Sequence, residues 1–155
     1  MPSATEIIPG LWLGNLKARS NLKFIKRKKI KLIVNCCSQA LNDRYNIIPI
    51  SISAGTRELL LDLSDRENDK STAEMIKTLP WITREIDDCL NRGESVLVHC
   101  YAGRRRSPAI VMGYLMSKCG WSTGQSVQIV NQLWPYTINS FVRALSEYEI
   151  KLKDI

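Results

Sequence analysis

The feature that most constrains this chain is a change of period near its middle. Val96-Leu97-Val98 is a short, uniformly apolar run of the kind that makes a strand buried on both faces. The stretch from about Ser107 to Lys118 is apolar at helical length and stops at Gly120. Cys100 to Arg106 leaves room only for a tight loop between them. A strand that turns at once into a helix belongs to a crossover unit, and crossovers join parallel strands. The expected fold is therefore α/β, a single domain with a central, mostly parallel sheet flanked by helices.

The rest of the chain fits that frame. Ile7 to Asn15, with its Pro9-Gly10 and Gly14-Asn15 breaks, reads as a short strand, and a basic helical stretch follows. Leu32-Ile33-Val34, Ile47 to Ile52 and Glu58 to Leu63 are further strand candidates. Ser71 and Glu74 have the spacing of a capping box, which predicts a helix from Ser71 to Asn91, kinked at Pro80 and ended by Arg92-Gly93. Ser122 and Gln125 form a second capping box for a helix to Leu133. Phe141, Leu145, Tyr148 and Leu152 mark one face of a final helix. With 155 residues, 45% hydrophobic and 24% charged, and no repeat or linker, one domain over 1–155 is expected. The longest nearly apolar stretch, Pro108 to Met116, is far short of the roughly 20 residues that span a bilayer. The opening residues carry no secretory pattern, so a cytoplasmic or nuclear location is expected.

The net charge of +7 suits anionic ligands. Lys17, Arg19, Lys23, Lys26, Arg27, Lys28, Lys29 and Lys31 place eight cations within fifteen residues, and Arg104-Arg105-Arg106 form a second cluster. The first reads as a solvated helix face in preference to a docking or nuclear import patch. Five cysteines without CxxC spacing argue against a disulfide framework, and a single histidine, His99, argues against structural zinc. No metal or cofactor is implied.

The chemistry concentrates in Val98 to Pro108, VHCYAGRRRSP. A cysteine at the end of a buried strand, followed by a loop that runs into a helix, can be wrapped by inward-pointing backbone N–H groups, a nest for a tetrahedral dianion. Helix N-termini and such nests favour a thiolate over a thiol. Gly103 permits a sharp turn, and Arg106 offers the planar fork that grips two phosphoryl oxygens. Ser107 is placed to donate a hydrogen bond to the cysteine sulfur as it leaves. Tyr101, Ala102, Arg104 and Arg105 complete the loop and its rim.

The string HCxxGxxRS resembles the signature of the cysteine-based protein tyrosine phosphatase superfamily, and the following PAIVMGYLM resembles its dual-specificity branch. IPGLWLGN at 8–15 is similar to that branch's opening strand. Trp134-Pro135, Ile138-Asn139, Phe141, Leu145 and Tyr148-Glu149 resemble its closing helix. About four fifths of the chain can be matched, with Leu41 to Lys70 matching poorly. The resemblance implies two-step phosphomonoester hydrolysis without metal. Cys100 attacks phosphorus, an aspartic acid protonates the leaving oxygen, and water hydrolyses the cysteinyl phosphate. His99 then orients the loop through hydrogen bonds, and Asn139 matches an asparagine that supports it, although capping the last helix explains Asn139 equally well.

Three aspartates compete for the general acid. Spacing to the cysteine favours Asp69, whereas the alternation of Leu61 to Asp65 favours Asp65 at the end of a strand, with Asp62 third. Cys36 and Cys37 end the strand Leu32 to Val34, and parallel strands deliver their ends to one sheet edge. Cys37 resembles a cysteine so placed in a related lipid phosphatase and is a candidate redox partner of Cys100; small buried hydrophobes are the plainer reading of both. The substrate class implied is a phosphorylated protein bearing phosphotyrosine and phosphoserine or phosphothreonine. Arg104 and Arg105 also suit polyanions such as phosphoinositides or RNA 5′ ends, and a catalytically dead phosphate-binding module is a third reading.

Overall fold

The computed structural model describes residues 2–47 and 55–154. Its strands are β1 (Ala4–Ile8), β2 (Leu11–Gly14), β3 (Ile30–Asn35), β4 (Arg57–Leu60) and β5 (Ser95–His99). Its helices are α1 (Leu16–Arg19), α2 (Leu22–Arg27), α3 (Gln39–Arg44), α4 (Asp69–Asn91), α5 (Arg106–Cys119), α6 (Thr123–Leu133) and α7 (Val142–Lys153). The sheet order is β1-β2-β5-β3-β4; β1 runs antiparallel to β2, and every other pair is parallel. This is the α/β arrangement that the switch of period at 96–118 predicts. No helix among the described residues is long and apolar enough to cross a membrane.

Alternation along the strands sorts the core onto two faces. Leu32, Val34, Val96 and Val98 point to the side covered by α4, α5, α6 and α7, where they meet Leu79, Ile82, Ile110 and Leu115, all fully buried. Ile33 and Leu97 point the other way, against Ala18 of α1 and Ile25 of α2, with Trp12 and Phe24 packed edge to face at the margin. Burying a large aliphatic side chain is worth roughly 1.5–3 kcal/mol, so the four-helix side carries most of the apolar stabilisation.

Several elements differ from expectation, each for a local reason. The expected strand Ile7 to Asn15 is a hairpin, because Gly10 adopts φ +87° and turns the chain between β1 and β2. The strand expected over Glu58 to Leu63 stops at Leu60; Leu61 still donates to Asn35, but Asp62 then takes φ +51° and leaves the ladder. Helix α4 starts two residues early, at Asp69. Asn68 is its cap, accepting from the Ser71 amide at 2.9 Å while Ser71 Oγ accepts from the Asn68 amide, so Ser71 is the reciprocal partner and not the cap. Pro80 lies inside α4 without ending it. Ser122 and Gln125 do cap α6 reciprocally. Short α3 was not anticipated, and the strand expected over Ile47 to Ile52 lies, beyond Ile47, outside the described residues.

One polar contact joins the thinner side. Arg19 of α1 donates from Nε and Nη2 to both carboxylate oxygens of Glu58 on β4, at 2.9 and 2.8 Å, with the Glu58 side chain fully buried. Leaving one buried charge without its partner costs about 3–5 kcal/mol, whereas replacing both by apolar groups is often neutral. Urea denaturation should accordingly show Glu58→Ala losing stability of that order and Arg19→Met/Glu58→Leu recovering most of it.

Candidate active site

Strand β5 is paired in parallel on both sides, with His99 opposite Gly14 of β2 and Asn35 of β3. Cys100 therefore leaves the sheet at its carboxyl edge between two neighbours. It is 2% exposed, with Sγ 3.2 Å from Ser107 Oγ. The loop that follows is held by its carbonyls. The Leu16 amide donates to Tyr101 O at 3.0 Å, Trp134 Nε1 to Gly103 O at 2.7 Å, and the Ile138 amide to Arg104 O at 2.8 Å. The backbone N–H groups of residues 101–105, by contrast, have no hydrogen-bond partner among the described residues. Gly103 has φ +71°, and a Cβ there would sit 2.9 Å from Gly14 O and 3.2 Å from the Trp134 ring, so conformation and space both demand glycine.

Arg106 opens α5 and is 4% exposed. Its Nη1 donates to Leu63 O at 3.2 Å. Its Nε lies 3.4 Å from Asp65 Oδ1, an ion pair by distance but without hydrogen-bond alignment, so this buried donor is unsatisfied. A cavity of about 450 Å³ is lined by Asp65, Cys100, Arg104, Arg105, Arg106 and Ile138, together with Tyr101 and Ala102. The three aspartates separate clearly. Asp65 lines this cavity. Asp69 sits in the first turn of α4, exposed and paired with Arg143 at 2.9 Å. Asp62 accepts from the Gln39 amide at the start of α3, at 2.7 Å.

His99 is fully buried, with Nδ1 3.3 Å from Cys100 O, and it is not among the residues lining the cavity. Burial pushes its pKa down to about 3, against a smaller upward pull from the Cys100 carbonyl, so the ring is neutral. Its ring lies against the peptide after Cys100. Cys36 and Cys37 are both fully buried. Burial pushes Cys37 up to about 12 and raises Cys36 well above an ordinary thiol. Asn35 lies opposite His99 and the Cys36 amide donates to His99 O at 2.8 Å, so Cys36 lies level with Cys100 along the strands and Cys37 one residue beyond.

Residues 11–151 match the family described as Dual specificity phosphatase, catalytic domain. The chain belongs to that family. It is 33% identical over 149 residues to serine/threonine/tyrosine-interacting protein A of Xenopus laevis, covering 93% of this chain and 63% of that protein. It is 32% identical over 148 residues to the protein-tyrosine-phosphatase IBR5 of Arabidopsis thaliana, covering 94% of this chain and 51% of that one. The chain thus spans only half to three fifths of these relatives. In structure it is similar to human DUSP28, with TM-score 0.83 and 25% identity over 99% of this chain and 97% of that one.

Asn139 departs from its expected place. It is exposed and accepts from Asn131 Nδ2 at 3.0 Å, touching neither the loop nor the α7 cap. Its two neighbours support the loop instead: Ile138 through its amide, and Ser140, whose Oγ accepts from Arg105 Nη1 at 2.9 Å. Sequence reasoning also missed Glu67, whose carboxylate accepts from the Phe141 amide at 2.8 Å and ties the Asp65 segment to the start of α7. Tyr45 was missed as well; it stacks on Tyr101 with ring centroids 5.4 Å apart. The Trp134 indole N–H was the one clue available, since a buried donor demands an acceptor.

A neutral buried histidine makes stability depend on pH. The folded state holds His99 unprotonated down to about 3 while the unfolded chain takes a proton near 6.5, so this contribution is complete above 6.5 and drains away as pH falls toward 3. Denaturation across that window should show a shallower slope for His99→Asn than for the wild type, by up to about 1.4 kcal/mol per pH unit.

Proposed function

We propose that this domain, over residues 1–155, hydrolyses phosphomonoesters through a cysteinyl-phosphate intermediate, acting in the cytoplasm or nucleus on phosphotyrosine and phosphoserine or phosphothreonine in proteins. The observation that carries the reading is a set of unsatisfied donors around one nucleophile: the 101–105 amides and the buried Arg106 Nε lie on the loop that begins at Cys100. Arg106 Nε is buried, where a donor without a partner is rare and costly unless a ligand completes it, and the loop amides beside it form a nest that the same ligand can fill. A tetrahedral dianion does so.

The chemistry then follows by position. Cys100 Sγ attacks phosphorus and the ester P–O bond breaks, while Asp65 delivers a proton to the leaving oxygen. The Arg106 fork and the loop amides take the charge that spreads over the equatorial oxygens. Water next attacks the cysteinyl phosphate and gives its proton to Asp65 as the P–S bond breaks. The Ser107 hydroxyl, 3.2 Å away, donates to the departing sulfur. When a phosphoryl group occupies Arg106, Asp65 is released from its 3.4 Å ion pair and turns to the leaving oxygen. Tyr101, Ala102, Arg104 and Arg105 shape the entrance.

A binding-only role is the second reading, favoured by the name of the matched serine/threonine/tyrosine-interacting protein. A binder needs the anion nest but no nucleophile, and here Cys100 is present with Ser107 beside it. Phosphoinositide and RNA 5′-phosphate substrates fit the same chemistry, and turnover on each beside phosphopeptides separates them.

With a small aryl phosphate, turnover should survive EDTA, vanish in Cys100→Ser with phosphate binding retained, and fall by orders of magnitude in Arg106→Lys, because a lone ammonium cannot replace a bidentate fork. Activity persisting in Cys100→Ser would overturn the proposal. Asp65→Asn should lower kcat roughly 10²- to 10⁴-fold and remove one limb of its pH profile, whereas Asp69→Asn and Asp62→Asn should leave the profile unchanged. A phosphopeptide panel should show all three phosphoresidues hydrolysed.

A further inference from the structure

The basic stretch of α1 and α2 is not used by the site. Between Glu6 and Asp43 the chain contains no acidic residue at all, yet it carries eight cations there. A merely solvated helix face normally alternates charge, because like charges at i and i+4, such as Lys23 and Arg27, oppose the helix. The structure shows where these cations go. Arg19 is consumed by Glu58. Lys28 lies 5.4 Å from the centre of the Trp12 ring. Lys23, Lys26, Arg27 and Lys29 are exposed, with no ion-pair partner among the described residues. Lys29 holds its place at φ +55°, a backbone region where glycine or asparagine is easier.

Two further observations define what this array would meet. Leu22, at the start of α2 and 62% exposed, adds an apolar side chain beside Lys23. The two helices cover the thin side of the sheet, where Ile25 is the buried residue of α2, and Leu22, Lys23, Lys26 and Arg27 lie on its exposed side. Lys17 shares a cavity of about 420 Å³ with Tyr101, Ala102 and Arg104, which also line the catalytic cavity. Cations around a protruding aliphatic side chain match an anionic interface with an acyl boundary beneath it. They match nucleic acid less well, since base stacking needs free aromatic faces. Trp12 and Phe24, the rings beside these cations, pack edge to face with Lys28 near the Trp12 ring.

We propose that the α1–α2 face seats this protein on an anionic lipid surface, with Leu22 inserted and Lys23, Lys26, Arg27 and Lys29 at the headgroups, which places the mouth of the catalytic cavity at the edge of the membrane contact. This goes beyond the phosphatase reading and is measured without turnover.

Co-sedimentation of the full chain tests it, with vesicles of phosphatidylcholine alone and of an equal mixture of phosphatidylcholine and phosphatidylserine. The protein should partition onto the mixed vesicles only, and less as salt rises. Lys29→Gly, which relaxes the backbone while removing a charge, should weaken partition about five-fold; Lys26→Gln/Arg27→Gln/Lys29→Gly should weaken it roughly a hundred-fold. Leu22→Ser should weaken it several-fold with the salt slope unchanged, because it removes apolar burial and no charge. Aryl phosphate turnover should be unaltered in all of these, as none lines the catalytic cavity. Equal binding to both vesicles, wild-type partition by the triple variant, or binding of single-stranded RNA in place of vesicles would overturn the proposal.

Discussion

Strand β5 has parallel partners on both sides, and the rest of the site depends on that pairing. An edge strand such as β4 has one neighbour to set where it ends. A strand locked at His99 between Gly14 and Asn35 ends at a fixed point on the carboxyl edge, in the crevice where open α/β sheets bind ligands. Cys100 is the first residue past that point. Its position is therefore set by the ladder, and its burial by Val96, Val98 and the helices packed over them. The same register carries Cys36 alongside it.

From that fixed origin, the loop is shaped by what its carbonyls find. Three of them are taken by donors from three separate parts of the chain: the start of α1, the end of α6 and the segment before α7. In a trans peptide the N–H points opposite to its carbonyl, so each such bond turns the following amide away from the carbonyl's partner, and in the proposed function these amides receive the anion. Gly103 is the residue that makes this possible, because its peptide passes within contact distance of Gly14 and under the Trp134 indole. The conformation of the loop is thus held by tertiary contacts as well as by its own turn.

How much of this the sequence revealed follows the range of each interaction. Strand β5, helix α5 and the loop between them were legible because the signals are local: an apolar run, a glycine and a switch of period. The capping box of α4 misled for an equally local reason. Ser71 and Glu74 fit the pattern, but the pair formed is Asn68–Ser71, three residues earlier, where a serine stands in place of the Glu or Gln that the pattern asks for. Asn139 misled because its neighbours do the work, through an amide and a serine hydroxyl that carry no motif. Which of Cys36 and Cys37 lies level with Cys100 could not be read before the β3–β5 register was known. The three aspartates show the limit most clearly, since Asp62, Asp65 and Asp69 differ only in what tertiary structure brings to them: the α3 amide, Arg106, and Arg143.

Three consecutive arginines end up in three different environments, which composition alone would have lumped into one patch. Arg104 is exposed at the rim, contributing its carbonyl to the loop's scaffold and its side chain to two adjoining cavities. Arg105 reaches sideways to Ser140 and braces the loop against the segment before α7. Arg106 turns inward and is 4% exposed, with Leu63 O accepting from its Nη1 and the Asp65 carboxylate 3.4 Å from its Nε, a thin set of partners for a buried cation. The helix start places it there regardless, because Arg106 is the first residue of α5 and its direction follows from the axis of that helix. Stability and chemistry therefore meet at this one side chain. The fold leaves the Nε of this buried cation without an aligned acceptor, and in the proposed reaction a phosphoryl dianion supplies one.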